Sequence, residues 1–320
     1  MRGLAALALV LALGVGLVAQ PRPVDDAPYV LVLGTAQDGG LPQVGCERAC
    51  CELARADPSR RRRVTSLLLV DPASGERWLF DASPDLPEQV ELARGHPAAR
   101  RTAPVEGGRA PLFDGIFPTH AHIGHYLGLA WLGREAYGAR GQRVYGTERL
   151  REFLGGNGPW SLGVSTGGME LLPLELDEPL RLNQRLELTA FQVPHRDEFS
   201  DTVGFVIRGP QRALLYLPDI DKWERWERPI EDLIAAVDVA LLDGTFFDAN
   251  ELPGRAMEEI PHPFIAESIE RFASLAAAER AKVRFTHLNH SNPARSESGQ
   301  QAAIRAAGHA VARDGERHSL

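Results

Sequence analysis

The chain has 320 residues, of which 44% are hydrophobic and 24% charged, proportions typical of a globular protein with a sizeable core. Its formal net charge of -8 offers no basic surface for a nucleic-acid backbone or an anionic membrane. The four arginines at 60–63 stand alone, and we interpret them as a solvent-exposed loop. We therefore expect a small molecule as the partner and no nucleic acid.

The N-terminal segment has the order of features that is typical of a secretory signal peptide. Arg2 is followed by an apolar stretch at 4–19 and then by a Gln-Pro pair. We therefore predict a signal peptide at 1–19, a linker at 20–27 and an exported protein, either periplasmic or secreted. An uncleaved membrane anchor is the alternative. No later apolar stretch reaches membrane-spanning length, so we expect no other contact with a membrane.

Short apolar runs that favour β-strands recur between turn signals along the rest of the chain. They lie at 29–33, 65–70, 78–80, 115–117, 186–193, 203–207, 213–217, 237–242 and 282–285. Helical patterns lie between them, at 123–137, 148–154 and 264–278. Strands and helices alternate without a change of composition or a Pro/Ser-rich linker, which predicts one α/β domain over 28–320.

Residues able to bind a metal follow four of these predicted strands. The segment 119–125 follows the strand at 115–117, and His195, Asp219 and His287 each follow a later strand. Residues exposed at strand ends meet at one edge of a sheet. We therefore expect these side chains to lie together in a single site.

His120, His122 and His125 place three imidazoles within six residues. Nitrogen ligands bind divalent transition metals at about 2.0–2.1 Å, and so short a segment can present them to a metal. The alternative is a histidine-rich surface loop, but the chain has only ten histidines and three of them cluster here. The pattern therefore predicts metal binding.

His195, Asp219 and His287 have less specific patterns when each is taken alone. A histidine at a strand end can be an ordinary polar residue, and an aspartate before a turn often caps that turn. Their order after the histidine cluster favours metal binding instead.

That order resembles the metallo-β-lactamase superfamily, which presents an H-x-H-x-D-H loop, a later histidine, a bridging aspartate and a final histidine from successive strand ends. The resemblance runs from about residue 30 to the C-terminus and implies a four-layer αββα sandwich. The segments at 33–43, 81–86 and 287–293 resemble a narrower branch of this superfamily. It contains pyrroloquinoline quinone biosynthesis protein B and the cyclic-phosphate phosphodiesterases of carbon–phosphorus lyase pathways.

The resemblance implies two metal positions that share one carboxylate. The ligands would be, for the first position, His120, His122 and His195, and for the second, His125 and His287, with Asp219 as the bridge. Zinc is the expected metal, as one or two ions, and iron or manganese are the alternatives.

One position of the histidine loop departs from the family. The family's aspartate is replaced here by Gly124. The change removes a ligand of the second metal and a group that can orient or deprotonate the attacking water. A mononuclear or iron-selective site is therefore an alternative to a two-metal site.

All three cysteines lie in one segment, at Cys46, Cys50 and Cys51. A disulfide is one interpretation, although adjacent cysteines bridge poorly and an odd count leaves one thiol over. In the related phosphodiesterases, a cysteine cluster and a histidine three residues after the last metal ligand hold a structural zinc. By that resemblance the three cysteines and His290 would hold a structural zinc, with Arg48 in place of the middle cysteine. A disulfide from Cys46 and free thiols are the alternatives.

His262 lies in an Ile-Pro-His-Pro segment. By the same resemblance it lies near the metals, where it would protonate a leaving group or orient the substrate, and His262 and Asp219 would be the catalytic residues. The alternative is a histidine that precedes a helix and is bonded to backbone.

These features predict a metal-dependent hydrolase of a small ester-like substrate, such as a phosphodiester or a lactone, that uses a metal-activated water. An iron-dependent oxygenase of the same fold is one alternative, because a three-histidine site also suits ferrous iron. A non-catalytic ligand-binding protein is the other. The identity of the metal separates the first two functions, and turnover of any substrate excludes the third.

Overall fold

The structure, a computed structural model, describes residues 26–96, 104–252, 254 and 260–320. The predicted signal peptide at 1–19 and the predicted linker up to residue 25 lie outside the described residues, so export stays a prediction. Within the ranges that the structure describes, no helix has the length and apolar character needed to cross a membrane.

Every apolar run predicted to be a strand forms one in the structure, with small shifts of its bounds. The strands are β1 (Tyr29–Gly34), β2 (Ser66–Asp71), β3 (Glu76–Phe80), β4 (Pro104–Val105), β5 (Gly108–Arg109), β6 (Gly115–Phe117), β7 (Gln142–Gly146), β8 (Met169–Pro173), β9 (Pro179–Arg181), β10 (Glu187–Val193), β11 (Thr202–Arg208), β12 (Ala213–Leu217), β13 (Val239–Asp243), β14 (Val283–Thr286), β15 (Ala310–Val311) and β16 (Arg317–Ser319). Short strands such as β9 and β15 have too few residues to show an alternating pattern, so the sequence does not predict them.

The strands form two large mixed sheets and a small hairpin of β4 and β5. Over the described residues, the first sheet has the order β16-β1-β2-β3-β6-β7-β8 and the second has the order β15-β14-β13-β12-β11-β10-β9. In each sheet the pairs at one end are antiparallel and the pairs at the other end are parallel. Each sheet therefore has an antiparallel half and a parallel half.

Helices lie between the strands along the chain. They are α1 (Ala49–Ala56), α2 (Leu86–Ala93), α3 (Ile123–Tyr126), α4 (Glu148–Gly156), α5 (Trp160–Ser165), α6 (Ile230–Ala235), α7 (Ile265–Phe272), α8 (Ala277–Arg280) and α9 (Gly299–Ala306), with 3₁₀ helices at Pro58–Arg60, Leu127–Leu132, Trp223–Arg225 and Pro293–Arg295. The predicted helix at 148–154 is confirmed as α4.

Two of the predicted helices are shorter than the sequence indicates. The pattern at 123–137 forms only α3 and a 3₁₀ helix, because Gly128 donates its backbone N–H to the Ala82 carbonyl at 2.8 Å instead of continuing the helix. The pattern at 264–278 is divided into α7 and the start of α8. In the segment between these two helices, the Arg280 guanidinium donates hydrogen bonds to the backbone carbonyls of Ala273 and Leu275.

The two sheets pack face to face, and helices cover their outer faces. On β1, Val30 and Val32 belong to the core between the sheets, whereas Leu31 and Leu33 belong to the outer core with α2, α4 and α5. Helices α6, α7 and α9 cover the second sheet in the same way. A strand buried on both faces needs apolar residues at successive positions, which explains the continuous apolar runs. The four-layer αββα sandwich and the single-domain α/β fold predicted from the sequence are confirmed.

Candidate metal centre

The predicted ligands lie in loops at one edge of the sandwich. β12, β13 and β14 are parallel neighbours, and β10 runs in the same direction because both β10 and β12 are antiparallel to β11. His195, Asp219 and His287 follow β10, β12 and β14, so their loops share this edge. The loop at 119–125 follows β6 of the other sheet and is joined to the start of β11 by a backbone hydrogen bond from Val203 to Thr119.

Four of the predicted ligands form one group. His120, His122, His195 and Asp219 each offer a ligand atom, and these atoms all lie within 4.8 Å of one another. His120 Nε2 is 3.5 Å from Asp219 Oδ2, and His195 Nε2 is 3.3 Å from Asp219 Oδ1. Ligand bonds of about 2.0–2.2 Å at tetrahedral angles separate ligand atoms by about 3.3–3.6 Å. The two distances therefore suit a single metal.

The other two predicted histidines, His125 and His287, form a second group with Asp38. Asp38 Oδ1 is 3.5 Å from His125 Nε2 and 3.9 Å from His287 Nε2. Asp219 Oδ2 is 3.8 Å from each of these nitrogens, so Asp219 lies between the two groups. The sequence does not single out Asp38, although it follows the end of β1 and so carries the same strand-end signal as the other residues.

Several buried ligand atoms in the two groups have no hydrogen-bond partner among the described residues. They are Nε2 of His125, His195 and His287, Nδ1 of His195, and Oδ1 of Asp38 and Asp219. Buried polar atoms are almost always hydrogen-bonded, because leaving one unpaired costs about 1–3 kcal/mol. A metal ion accepts lone pairs from both nitrogen and oxygen and would satisfy these atoms. The residues present therefore fit a metal centre.

Asp81 orients the histidine loop from the interior. Its buried carboxylate accepts hydrogen bonds from the backbone N–H and the hydroxyl of Thr119, at 2.7 and 2.9 Å, and from the Tyr216 hydroxyl at 2.7 Å. Its Oδ2 is 2.9 Å from His125 Nδ1. Metal-binding histidines usually contact a carboxylate or a carbonyl through their second nitrogen. This contact directs Nε2 of His125 toward Asp38.

Thr245 has the same function for His287. Its hydroxyl donates to Asp243 Oδ1 at 2.7 Å and therefore accepts from His287 Nδ1, which lies 2.9 Å away. The lone pair of His287 is then on Nε2, which is the nitrogen that faces Asp38. The sequence does not assign a role to Asp81 or Asp243, but each lies at the end of a buried strand, where the other site residues lie.

Neighbouring histidines favour the charged form of the two carboxylates in these groups. Burial alone would raise the pKa of Asp219, but neighbouring histidines, led by His195, hold this pKa well below its usual value. Burial alone would also raise the pKa of Asp38, but contacts with His287 and His125 lower it to about 2. Both carboxylates are therefore ionised at neutral pH and provide the negative charge that a divalent cation needs.

The structure places His262 beside Asp219, as the resemblance implies. Its Nδ1 is 2.9 Å from Asp243 Oδ2 and 3.1 Å from Asp219 Oδ1. Burial alone would lower the pKa of His262, but the charges of Asp243 and Asp219 raise it to about 10. His262 is therefore a buried imidazole that bonds side chains of the site, and the alternative of a histidine bonded to backbone does not describe it.

The cysteine segment lies next to His290, although the two are far apart in the sequence. Cys46, Cys50, Cys51 and His290 each offer a ligand atom within 4.8 Å of the others. No disulfide joins the three cysteines, and the sulfur atoms of Cys50 and Cys51 are 4.0 Å apart. Cys51 lies on α1 and His290 follows β14, so a metal here would join the loop after the first strand to the loop after β14.

Comparison with protein families identifies the region that contains most of these residues. Residues 76–290 match the family described as Beta-lactamase superfamily domain. Among curated proteins, coenzyme PQQ synthesis protein B of Methylobacterium radiotolerans is 30% identical over 315 residues, which cover 91% of this chain and 99% of that protein. The protein with the same description from Ruegeria pomeroyi is 28% identical over 313 residues, covering 89% and 98%.

Solved structures share the fold. The crystal structure of Zn(2+)-bound PqqB from Methylobacterium extorquens has a TM-score of 0.74 and 24% identity, and the match covers 91% of this chain and all of that one. A diphosphatase from the PhnP family has a TM-score of 0.61 and 21% identity, with 92% and 97% of the two chains covered. At these identities the likeness shows the fold alone.

Proposed function

The chain belongs to the beta-lactamase superfamily, and from that premise we propose that it is a metal-dependent hydrolase that cleaves an ester-like bond, such as a phosphodiester or a lactone, in a small molecule. The observation that carries the proposal is the convergence of unpaired, buried imidazole and carboxylate atoms on the space around Asp219. Such atoms are costly to bury unless they bind an ion.

The two groups of side chains define the ligands of the proposed site. His120, His122 and His195 hold one metal, His125 and His287 hold a second, and Asp219 contacts both groups. When bound, zinc would supply an activated water at neutral pH. The protein orients its imidazoles through Asp81 and Thr245, whose contacts leave the Nε2 atoms of His125 and His287 free.

His262 supplies the proton in the proposed reaction. It lies against Asp219 and Asp243 at the border of the first metal group, and its side chain is buried from water. Hydrolysis of an ester-like bond with a basic leaving group needs a proton on the leaving oxygen, and a positioned acid accelerates that step by about 10²–10⁴-fold. His262 is therefore assigned as the general acid.

The proposed site is tested by replacing His120 or His122 with alanine. We expect the active-site metal content, measured by elemental analysis, to fall several-fold while the melting temperature stays near that of the wild type. The physical reason is that both imidazoles belong to the metal group and neither belongs to the apolar core on either side of the sheets. His96→Ala is the matched control, because His96 bonds Tyr29 and belongs to neither group. A double variant that keeps its full metal content would refute the site.

Iron-dependent oxygenation is the second candidate function. The observation that favours it is the group of three imidazoles, His120, His122 and His195, that the structure brings together. Imidazole ligands suit ferrous iron as well as zinc. Elemental analysis of protein purified without added metal separates the two candidates, because the hydrolase should contain zinc and the oxygenase should contain iron.

We also propose that the cysteine cluster and His290 hold a structural zinc. The four ligand atoms are close enough for one ion, and His290 Nδ1 is buried without a hydrogen-bond partner among the described residues. Four ligands of this kind close a tetrahedral site, which leaves no position for a substrate. The metal would stabilise the fold without a part in the chemistry.

Replacing Cys46 with serine tests the structural zinc. We expect the zinc content to fall by about one per chain and the melting temperature to fall by on the order of 5–10 °C, because structural zinc contributes to the free energy of folding. Loss of the active-site metal in His120→Ala should lower the melting temperature less. If thiol titration of unfolded, non-reduced wild type finds only one free thiol, the cluster holds a disulfide instead.

A further inference from the structure

The carboxylate of Asp38 occupies an unusual position for a residue outside the histidine loop. Its Oδ1 is buried, lies 3.5 Å from His125 Nε2 and 3.9 Å from His287 Nε2, and has no hydrogen-bond partner among the described residues. About a quarter of the side chain is exposed, 24% by area, so the buried oxygen is the one that faces the histidines. The carboxylate therefore points into the second group of ligands.

Backbone hydrogen bonds hold the loop that carries Asp38. Leu288 donates its N–H to the Thr35 carbonyl at 2.8 Å, and Gln37 donates to the Leu288 carbonyl at 3.0 Å. Gln37 directly precedes Asp38, and Leu288 directly follows His287. The two backbone segments that carry Asp38 and His287 are therefore held next to each other.

Gly124 and Asp38 share one space. A Cβ atom at position 124 would lie 2.1 Å from Asp38 Oδ1 and 2.9 Å from Asp38 Cα. Neither distance is compatible with a side chain at 124 while Asp38 keeps its position. The glycine is thus a steric requirement for Asp38, and the space beside His125 still contains a carboxylate.

We propose that Asp38 is a ligand of the second metal, together with His125, His287 and Asp219, and that Gly124 is the residue that admits it. The inference rests on the proposed metal site and specifies its second position. It replaces the interpretation that Gly124 leaves the site mononuclear, because the carboxylate comes from the loop after β1 instead of the histidine loop. The second position would then have four protein ligand atoms, and a water or substrate atom would make the ion five-coordinate, a coordination that catalytic zinc can adopt.

The test compares Asp38→Asn with Gly124→Ala by elemental analysis of each purified variant. We expect each to lower the metal-to-protein ratio by about one relative to the wild type. Asp38→Asn keeps the shape of the side chain but weakens its oxygen as a ligand. Gly124→Ala changes no charge and removes no ligand, so a loss of metal in this variant reports the displacement of Asp38. Asp232→Asn, on the exposed face of α6, and Gly299→Ala, where a Cβ meets nothing within 4 Å, are the matched controls.

The outcomes separate this inference from the proposed function. If Asp38→Asn keeps the wild-type ratio while His120→Ala loses metal, the site exists and the role of Asp38 is wrong. If the wild type binds no metal that depends on His120, the proposed function itself is wrong. If Gly124→Ala fails to fold, the melting temperature shows this, and the isosteric Asp38→Asn variant decides the question.

Discussion

Replacement of Asp219 with alanine is expected to abolish hydrolysis and to remove metal from both positions. Asp219 contacts the first group through His120 and His195, at 3.5 and 3.3 Å, and the second through His125 and His287, each at 3.8 Å. A carboxylate between two cations stabilises both, and metal activation contributes several kcal/mol, equivalent to on the order of 10³-fold or more in rate. Elemental analysis and kcat/KM for a phosphodiester such as bis(4-nitrophenyl) phosphate are the measurements.

The buried histidines around Asp219 make a control for folding necessary. Removal of one member of a buried charged cluster destabilises a protein by about 3–5 kcal/mol, so the melting temperature must be measured on the same sample. Asp232→Ala removes an exposed aspartate of α6 and should leave metal content and rate unchanged. A folded Asp219→Ala variant that retains both metals would show that this carboxylate does not join the two groups.

Replacement of His262 with asparagine is expected to lower kcat by on the order of 10²–10⁴-fold while the metal content stays constant. The asparagine amide keeps a donor near the position of Nδ1, which is bonded to Asp243 at 2.9 Å, but it has no proton to transfer at neutral pH. KM should change little, because the loss concerns the chemical step. Steady-state kinetics and elemental analysis of the same preparation are the measurements.

A series of aryl esters with leaving groups of different acidity provides the control for His262. A substrate whose leaving group departs without protonation should lose much less rate in His262→Asn than one with a basic leaving group. A structural role would lower the rate of both substrates equally. The group formed by Asp219, Asp243 and His262 also has ligand atoms within 4.8 Å, so a metal ratio that falls by about one would identify His262 as a ligand and not as the acid.

The sequence alone predicts the layered fold, because the fold depends on local patterns. A strand such as β1, buried on both faces, must be apolar at successive positions, and Val30 to Leu33 show this directly. The ends of helices depend more on contacts with residues far away in the sequence. The pattern at 123–137 is interrupted because Gly128 bonds Ala82, a residue far away in the sequence, and nothing within the pattern reveals that bond.

The sequence also indicates most of the candidate site. His195, Asp219 and His287 each follow a buried strand of the second sheet, and strand ends at one edge of a sheet are brought together by the sheet itself. His120 follows β6 of the first sheet and reaches the same edge because the two sheets pack face to face. This rule needs only the position of a residue relative to a strand. It therefore brings together residues that are far apart in the chain without any knowledge of their contacts.

The tertiary structure alone decides which carboxylate faces His125. In the sequence, Gly124 stands where the histidine loop of the family has an aspartate, so a comparison limited to this loop indicates a missing ligand. In the fold, the loop after β1 lies against the loop after β14, and Asp38 enters the space that a side chain at 124 would fill. A pattern along the chain gives the type and position of each residue but not its contacts. Which residues share a space depends on how the loops at the edge of the two sheets pack, and that packing places the carboxylate of Asp38 beside His125 and His287.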